Sequence, residues 1–192
     1  MPKVENFNKE EIIIKALEVF HSKGYNLASM QDLVDATGLN RSSIYNSFGS
    51  KLELYKLCLA AYKRNSRIAV NDCLEKSNCV LENIKAIFSL AISENEEELK
   101  KGCLFNSCAS EMANQEASVK PILLNNNLQM QELFTSLVQK GQDNGLFNTK
   151  RTAGEYGLYL LSSFQGIRIS GIILNDKKDL ETIIQTAVSI LE

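Results

Sequence analysis

The sequence predicts an all-α protein: an N-terminal three-helix helix-turn-helix unit joined to a larger C-terminal helical body. Three observations carry this prediction. Apolar residues recur at helical spacing along most of the 192 residues, with no strand-like alternation, internal repeat or low-complexity segment. Only two prolines, Pro2 and Pro121, are present to interrupt long helices. Capping residues and glycines punctuate the first 50 residues at short intervals, which divides them into one longer and two short helices. The expected boundaries are 1–50 for the helix-turn-helix unit, 51–76 for a connecting helix and 77–192 for the body.

The first helix is expected from Asn8 to Lys23, with Ile12, Ile13, Ala16, Leu17 and Phe20 on one face. Asn8 caps its start, Glu10 and Glu11 complement its dipole, and Gly24 stops it. Ser29 caps a short helix over Met30–Thr37 that Gly38 ends. A third follows over Arg41–Ser47 with Asn40 or Ser42 near its cap, and Gly49 ends it. Ser50 and Glu53 have the spacing of a capping box, which opens a long fourth helix over Lys51–Lys76. Leu33, Ala36, Leu39, Ile44 and Phe48 are placed to form a small core. A unit of this size buries too little surface to be very stable alone, so the long helix must tie it to the body. Further helices are expected near 79–95, 102–115, 118–143, 152–174 and 177–191. "SENEEELKK" (93–101) reads as a charged, solvated junction and "GQDNG" (141–145) as a stop and turn.

Charge is uneven along the chain. Residues 1–67 carry ten Lys/Arg against seven Asp/Glu, whereas 68–192 carry eleven against sixteen. That asymmetry suits a small module that meets a polyanion and a body that does not. The opening "MPKVENFNKEE" is charged and unlike a signal peptide, and the richest apolar stretch, Tyr156–Leu174, is broken by Gln165, Arg168 and glycines. A cytoplasmic protein without membrane insertion is expected. The five cysteines are odd in number, contain no C-x-x-C pair, and are far in sequence from the single histidine, His21, so neither a disulfide framework nor a zinc site is indicated. His21 reads as a partly buried or surface imidazole.

The stretch "SMQDLVDATGLNRSSIYNSFGSKLELY" (29–55), preceded by "FHSKGY", resembles the DNA-binding segment of the TetR family of bacterial transcriptional repressors. The resemblance rests on "LVDATGL" and on Tyr45, Phe48 and Lys51 in "IYNSFGSKLEL", and covers about the first 60 residues. Many family members carry one or two histidines where this chain has Asn46 and Ser47. Independently, a helix-turn-helix places the N-terminal side chains of its second helix at base edges in the major groove. Here those are Arg41, Ser42 and Ser43; arginine takes guanine bidentately, and serine adapts to donors or acceptors. Tyr45 and Asn46 reach the groove edge or phosphates, and backbone N–H groups near Ser29 and Met30 can bind a phosphate. The resemblance implies a phosphate contact for Lys51, while Phe48 is assigned to the core.

For the body, the resemblance implies a homodimer on a double-stranded palindromic operator, through helices 152–174 and 177–191. It also implies a cavity for a small-molecule inducer. The first of those helices is apolar on more than one face, with small residues at Ser163, Gly166, Ser170 and Gly171. Phe88, Phe105, Met112, Met130, Phe134 and Tyr156 are candidate lining residues, although each taken singly reads first as plain core. "KGCLFNSCASEMA" further resembles a "GCL" subgroup of such repressors, in some of which the cysteine senses electrophiles or oxidants. Cys103 matches that position, in the first turn of the expected helix near Lys100 and Lys101, and is either a sensor or packing. Cys108 lies five residues on, about 140° round the helix and about 7.5–8.5 Å away between Cα atoms, which disfavours a disulfide. Cys58, Cys73, Cys79 and Cys108 read as small buried hydrophobes. The expected function is a dimeric repressor released by a small-molecule or thiol-reactive inducer. A ligand-independent regulator is the alternative within binding proteins. An all-α enzyme has no support: no phosphate-binding glycine loop or catalytic pair is present, no cofactor is implied, and Glu111, Glu116, Asp32 and Asp35 read as solvated helix faces.

Overall fold

The computed structural model describes residues 7–92, 96–174 and 176–192. They form α1 (Lys9–Leu27), α2 (Met30–Thr37), α3 (Arg41–Phe48), α4 (Lys51–Glu75), α5 (Val80–Ser89), α6 (Glu96–Lys101), α7 (Leu104–Met112), α8 (Lys120–Asp143), α9 (Ala153–Ile173) and α10 (Lys177–Ser189). No strand occurs among the described residues. The first six residues, at the start of the charged N-terminal stretch, and 93–95 of the expected junction lie outside them.

Local chemistry sets the N-terminal elements. Asn8 accepts the Glu10 N–H at 3.0 Å and starts α1. The helix carries on past its expected end at Lys23, but Gly24 breaks it internally with φ +76°, a value an L side chain resists. Ser29 and Asp32 form a full capping box on α2, which Gly38 ends in the left-handed region. Asn40 caps α3 through the Ser43 N–H at 2.8 Å. At α4 only half of the expected box is made. Ser50 accepts the Glu53 N–H, while the Glu53 carboxylate pairs with Lys56 at 2.9 Å.

Two apolar cores share α4. The first takes Ile12, Phe20, Leu33, Ile44, Phe48 and Tyr55 from α1–α4, and it also takes Leu104, Phe105, Cys108 and Met112 from α7. Rings tie α1 to α4 within it, Phe20 to Tyr55 at 4.9 Å edge-on and Tyr25 to Tyr55 at 5.0 Å. The second core joins Val70 of α4 to α5, α8, α9 and α10 around the Phe88–Phe134–Phe164 cluster. In the small core Ala36 points to solvent and the buried position is Thr37, whose hydroxyl donates to the Leu33 carbonyl at 2.6 Å. That bond is what allows a polar residue there.

The expected junction at 93–101 is helical at its far end. In α6, Leu99 turns inward against Gly171 of α9, so the charged run is anchored by one apolar residue. Gly102, at φ +64°, separates α6 from α7, so the expected helix 102–115 begins at Leu104 and ends at Met112. Of the segment expected at 79–95, the described residues 79–92 are helical over Val80–Ser89.

Helices α8 and α9 pack antiparallel at very close range. At Gly157 a Cβ would lie 2.2 Å from Thr135 Oγ1 and 3.0 Å from the Thr135 backbone nitrogen. Gly171 stands similarly against Leu99, whereas a Cβ at Gly166 would meet nothing within 4 Å. Gly157→Ala gains about 1 kcal/mol of helix propensity but forces backbone apart, an overpacking cost of about 1–3 kcal/mol. The expected result is a net drop in thermal midpoint of a few degrees relative to wild type, which differential scanning calorimetry checks.

Candidate nucleic-acid interface and the cavity behind it

The outward face of α3 follows from its inward one. Ile44 and Phe48 are buried on one side, which leaves Arg41, Ser42, Tyr45 and Asn46 exposed on an arc of about 140°. Tyr45 keeps 41% of its surface although it is aromatic. Ser43 is half-buried beside its cap. Lys51, at the first turn of α4, is held by Tyr25, with Nζ 4.4 Å from the ring centroid. Partial burial lowers its pKa, an effect that Glu111 and Asp32 oppose.

The start of α2 differs from expectation. The Asp32 carboxylate accepts the Ser29 N–H and the Ser29 hydroxyl, both at 2.8 Å. It is also bound by Lys23 at 2.6 Å, and these partners hold its pKa down to about 2. The Ser29 N–H is therefore occupied, and an anion there is left with the next N–H groups, starting at Met30. Asp32 is a cap rather than a solvated face. Glu111 departs likewise: its carboxylate accepts the Asn26 N–H at 2.8 Å and lies against Gly24, so it caps the broken end of α1 from α7.

A cavity of about 660 Å³ lies behind this head, between α1, α4, α6, α7, α8 and α9. Of the expected lining residues, Cys103, Phe105 and Met130 border it. Phe88 and Phe134 close the second core instead, Met112 belongs to the first, and Tyr156 donates to Asn148 Oδ1 at 2.5 Å elsewhere. His21, Tyr62 and Arg168, not anticipated, border it as well. His21 sits with Nε2 3.1 Å from the Gly102 carbonyl and its ring edge-on to Tyr62; burial lowers its pKa, so the ring is neutral at pH 7. Arg168 of α9 donates from Nη1 to Tyr62 Oη at 3.1 Å and lies over the Phe164 ring at 4.7 Å. The signal for Arg168 was present in the sequence as a lone cation within an apolar helix, but it served there only to rule out a membrane span.

Cys103 precedes α7 as its cap residue, in extended conformation, and is not in the first turn. It is buried and faces Tyr62 and Arg168 rather than lysine: Lys101 is bound to Glu18 and Glu98. Cys58, Cys73 and Cys108 are buried as expected, and burial raises the thiol pKa of Cys58 and Cys108. Cys79 is exposed, because it stands at the cap of α5 and not on a packed face. All five thiols are free. Among the described residues no helix is long and apolar enough to cross a membrane.

Residues 12–58 match the profile of bacterial regulatory proteins of the tetR family, and residues 80–187 match that of the tetracyclin repressor-like C-terminal domain. The chain is 24% identical over 194 residues to the uncharacterized HTH-type transcriptional regulator YezE of Bacillus subtilis, with 100% of both chains covered. It is 32% identical over 83 residues to the HTH-type transcriptional repressor BdcR of Escherichia coli, covering 41% of this chain and 42% of that one. Among solved structures, a cysteine mutant of the TetR family regulator CifR, complexed with 26 bp double-strand operator DNA, superposes with a TM-score of 0.84. It is 19% identical and covers 99% and 100% of the two chains. A TetR family regulator from Cytophaga hutchinsonii superposes at 0.86, with 16% identity and coverage of 95% and 92%. With both family models matched along most of its length, the chain belongs to the TetR family of DNA-binding transcriptional regulators.

Proposed function

We propose that the protein is a dimeric, cytoplasmic repressor that binds a palindromic operator and is released when a small molecule occupies the cavity. The observation that carries the DNA contact is the exposed arc on α3, polar and aromatic, opposite the buried Ile44 and Phe48. Arg41, Ser42 and Ser43 read base edges; Tyr45 and Asn46 reach the groove edge or backbone; Lys51 and the N–H groups from Met30 hold phosphates, with Ser29 confined to capping.

Dimerisation through 152–174 and 177–191 is supported by the far side of α9. Leu158 (53% exposed), Tyr159, Ile169 (50%) and Ile173 (73%) stand out from the fold, as do Ile183 of α10 and Ile190 at its C-cap. The open Gly166 lies in the same stripe and admits close approach of a second helix. The cavity is bounded on one side by α1 of the reading head and on the other by α6 and α9 of the body. A ligand that spreads these walls alters the spacing of two heads, which a dimer on two half-sites must keep. Cys103, at the cavity wall beside Arg168, is the position where a thiol-reactive inducer would act.

Three experiments test this reading. In operator titrations at several salt concentrations, Lys51→Ala lowers the salt slope by about one and weakens all sequences alike, whereas Arg41→Ala costs about 1–3 kcal/mol at the cognate site and relaxes its specificity. Unchanged slope and affinity in both variants would refute the assignment. Ile169→Arg places two unpaired charges in the proposed two-fold interface and yields monomers by analytical ultracentrifugation; a wild-type-like dimer removes α9 from the interface. An electrophile such as a quinone releases operator from wild type but not from Cys103→Ser; equal release from both ends the thiol mechanism.

A further inference from the structure

Arg168, half-buried at the cavity, has no carboxylate partner among the described residues. Its Nε is sealed from solvent and has no hydrogen-bond partner, while Nη1 donates to the Tyr62 hydroxyl. Burial pushes the Tyr62 phenol up to about 12, so at neutral pH it meets the guanidinium as an uncharged group. The other neighbours are the face of Phe164 and the Cys103 thiol. The two acids at the cavity wall, Glu18 and Glu98, are both taken by Lys101. Lys63 and Arg67 add two further cations to the same lining. A guanidinium cannot shed its proton to escape burial, so an unpaired one is costly wherever an apolar residue would serve.

The rest of the cavity is apolar in a way that completes the picture. Phe105, Met130, Leu133, Leu161 and Phe164 line it beside Arg168, and its volume of about 660 Å³ suits a ligand of moderate size. We infer that the cavity takes an amphipathic organic anion, a carboxylate or sulfonate on an apolar or aromatic body, with the acidic group paired to Arg168 and the body against Phe105, Met130 and Leu133. This inference rests on the reading of the cavity as the ligand chamber. It narrows that reading from any small molecule to one charge class. Pairing with Arg168 also supplies differential binding: the acid bonds a residue of α9 while the body presses on the wall that α1 contributes through Leu17 and His21.

A matched pair of dyes tests it on the full dimeric chain: anilinonaphthalene sulfonate, a monoanion, and N-phenylnaphthylamine, the same ring skeleton without the acid. Wild type binds the sulfonate about 10–100-fold more tightly than the neutral amine, the worth of one charge-assisted hydrogen bond in a dry site. Arg168→Met abolishes that advantage and leaves the neutral amine bound, which shows the cavity intact; Arg168→Lys retains part of it. Equal binding of the two dyes to wild type overturns the anion assignment and leaves the chamber standing, as happens if the Cys103 sulfur already neutralises Arg168. A sulfonate preference that survives Arg168→Met also overturns it. Failure of both dyes to bind wild type overturns the chamber itself.

Discussion

The reading head cannot close its own core, and much of the architecture follows from that. Helices α1–α3 with the first half of α4 present Phe20, Leu33, Ile44, Leu54 and Tyr55 to a common centre, yet the fourth wall of that centre is α7. Leu104, Phe105, Cys108 and Met112 come from the body and are buried as deeply as the head's own residues. Each such side chain contributes about 1.5–3 kcal/mol when fully buried, so the head is stable only in contact with the element that carries them. Polar bonds fix the register of that contact. Glu111 caps the chain where Gly24 breaks α1, Lys101 reaches Glu18, and His21 meets the Gly102 carbonyl.

A head held this way is coupled to whatever moves α6 and α7. The cavity lies at the same seam, with α1 on one wall and Leu99, Cys103 and Phe105 on others. Left-handed Gly102 is the joint between the two short helices, and a Cβ there would meet Ile172 of α9 at 2.7 Å. The cavity, the joint and the helix that closes the head's core are therefore mechanically one region. In the proposed mechanism an occupant of the cavity needs no distant relay to reach the DNA-reading surface.

Helix α9 has two faces of opposite character, one packed inside and one apolar face left outside. Tyr156, Leu160, Phe164 and Ile167 fill the second core, Gly157 lets α8 approach to backbone contact, and Leu158, Ile169 and Ile173 remain outside. Between these faces runs the arc of Gln165 and Arg168 toward the cavity. The Gln165 backbone carbonyl accepts from the Asn106 side-chain amide and its own side-chain amide donates to Asn127 Oδ1, while Arg168 is the charged member of this arc.

Elements whose structure depends on near neighbours were legible in the sequence. Asn8, Ser29, Asn40 and Ser50 cap the helices they precede, Gly38 and Gly49 end them, and 3.6-residue spacing placed Ile12, Phe20, Ile44 and Phe48 inside, because capping and amphipathicity act within a few residues. The exposed arc of α3 follows from the same periodicity. What the tertiary structure decided involves partners distant along the chain. An apolar Phe88, Phe134 or Met112 has the same signature whether it lines a cavity or fills a core, and only packing assigned them to cores. Charged Glu96–Lys101 reads as solvent-exposed until Leu99 finds Gly171, 72 residues on. Glu111 looks solvated until α1 breaks beside it, 85 residues away. Arg168 and Cys103 are adjacent only because α9 folds back over the Gly102 joint, and that meeting of a half-buried cation, a cysteine and a void is a property of the fold alone.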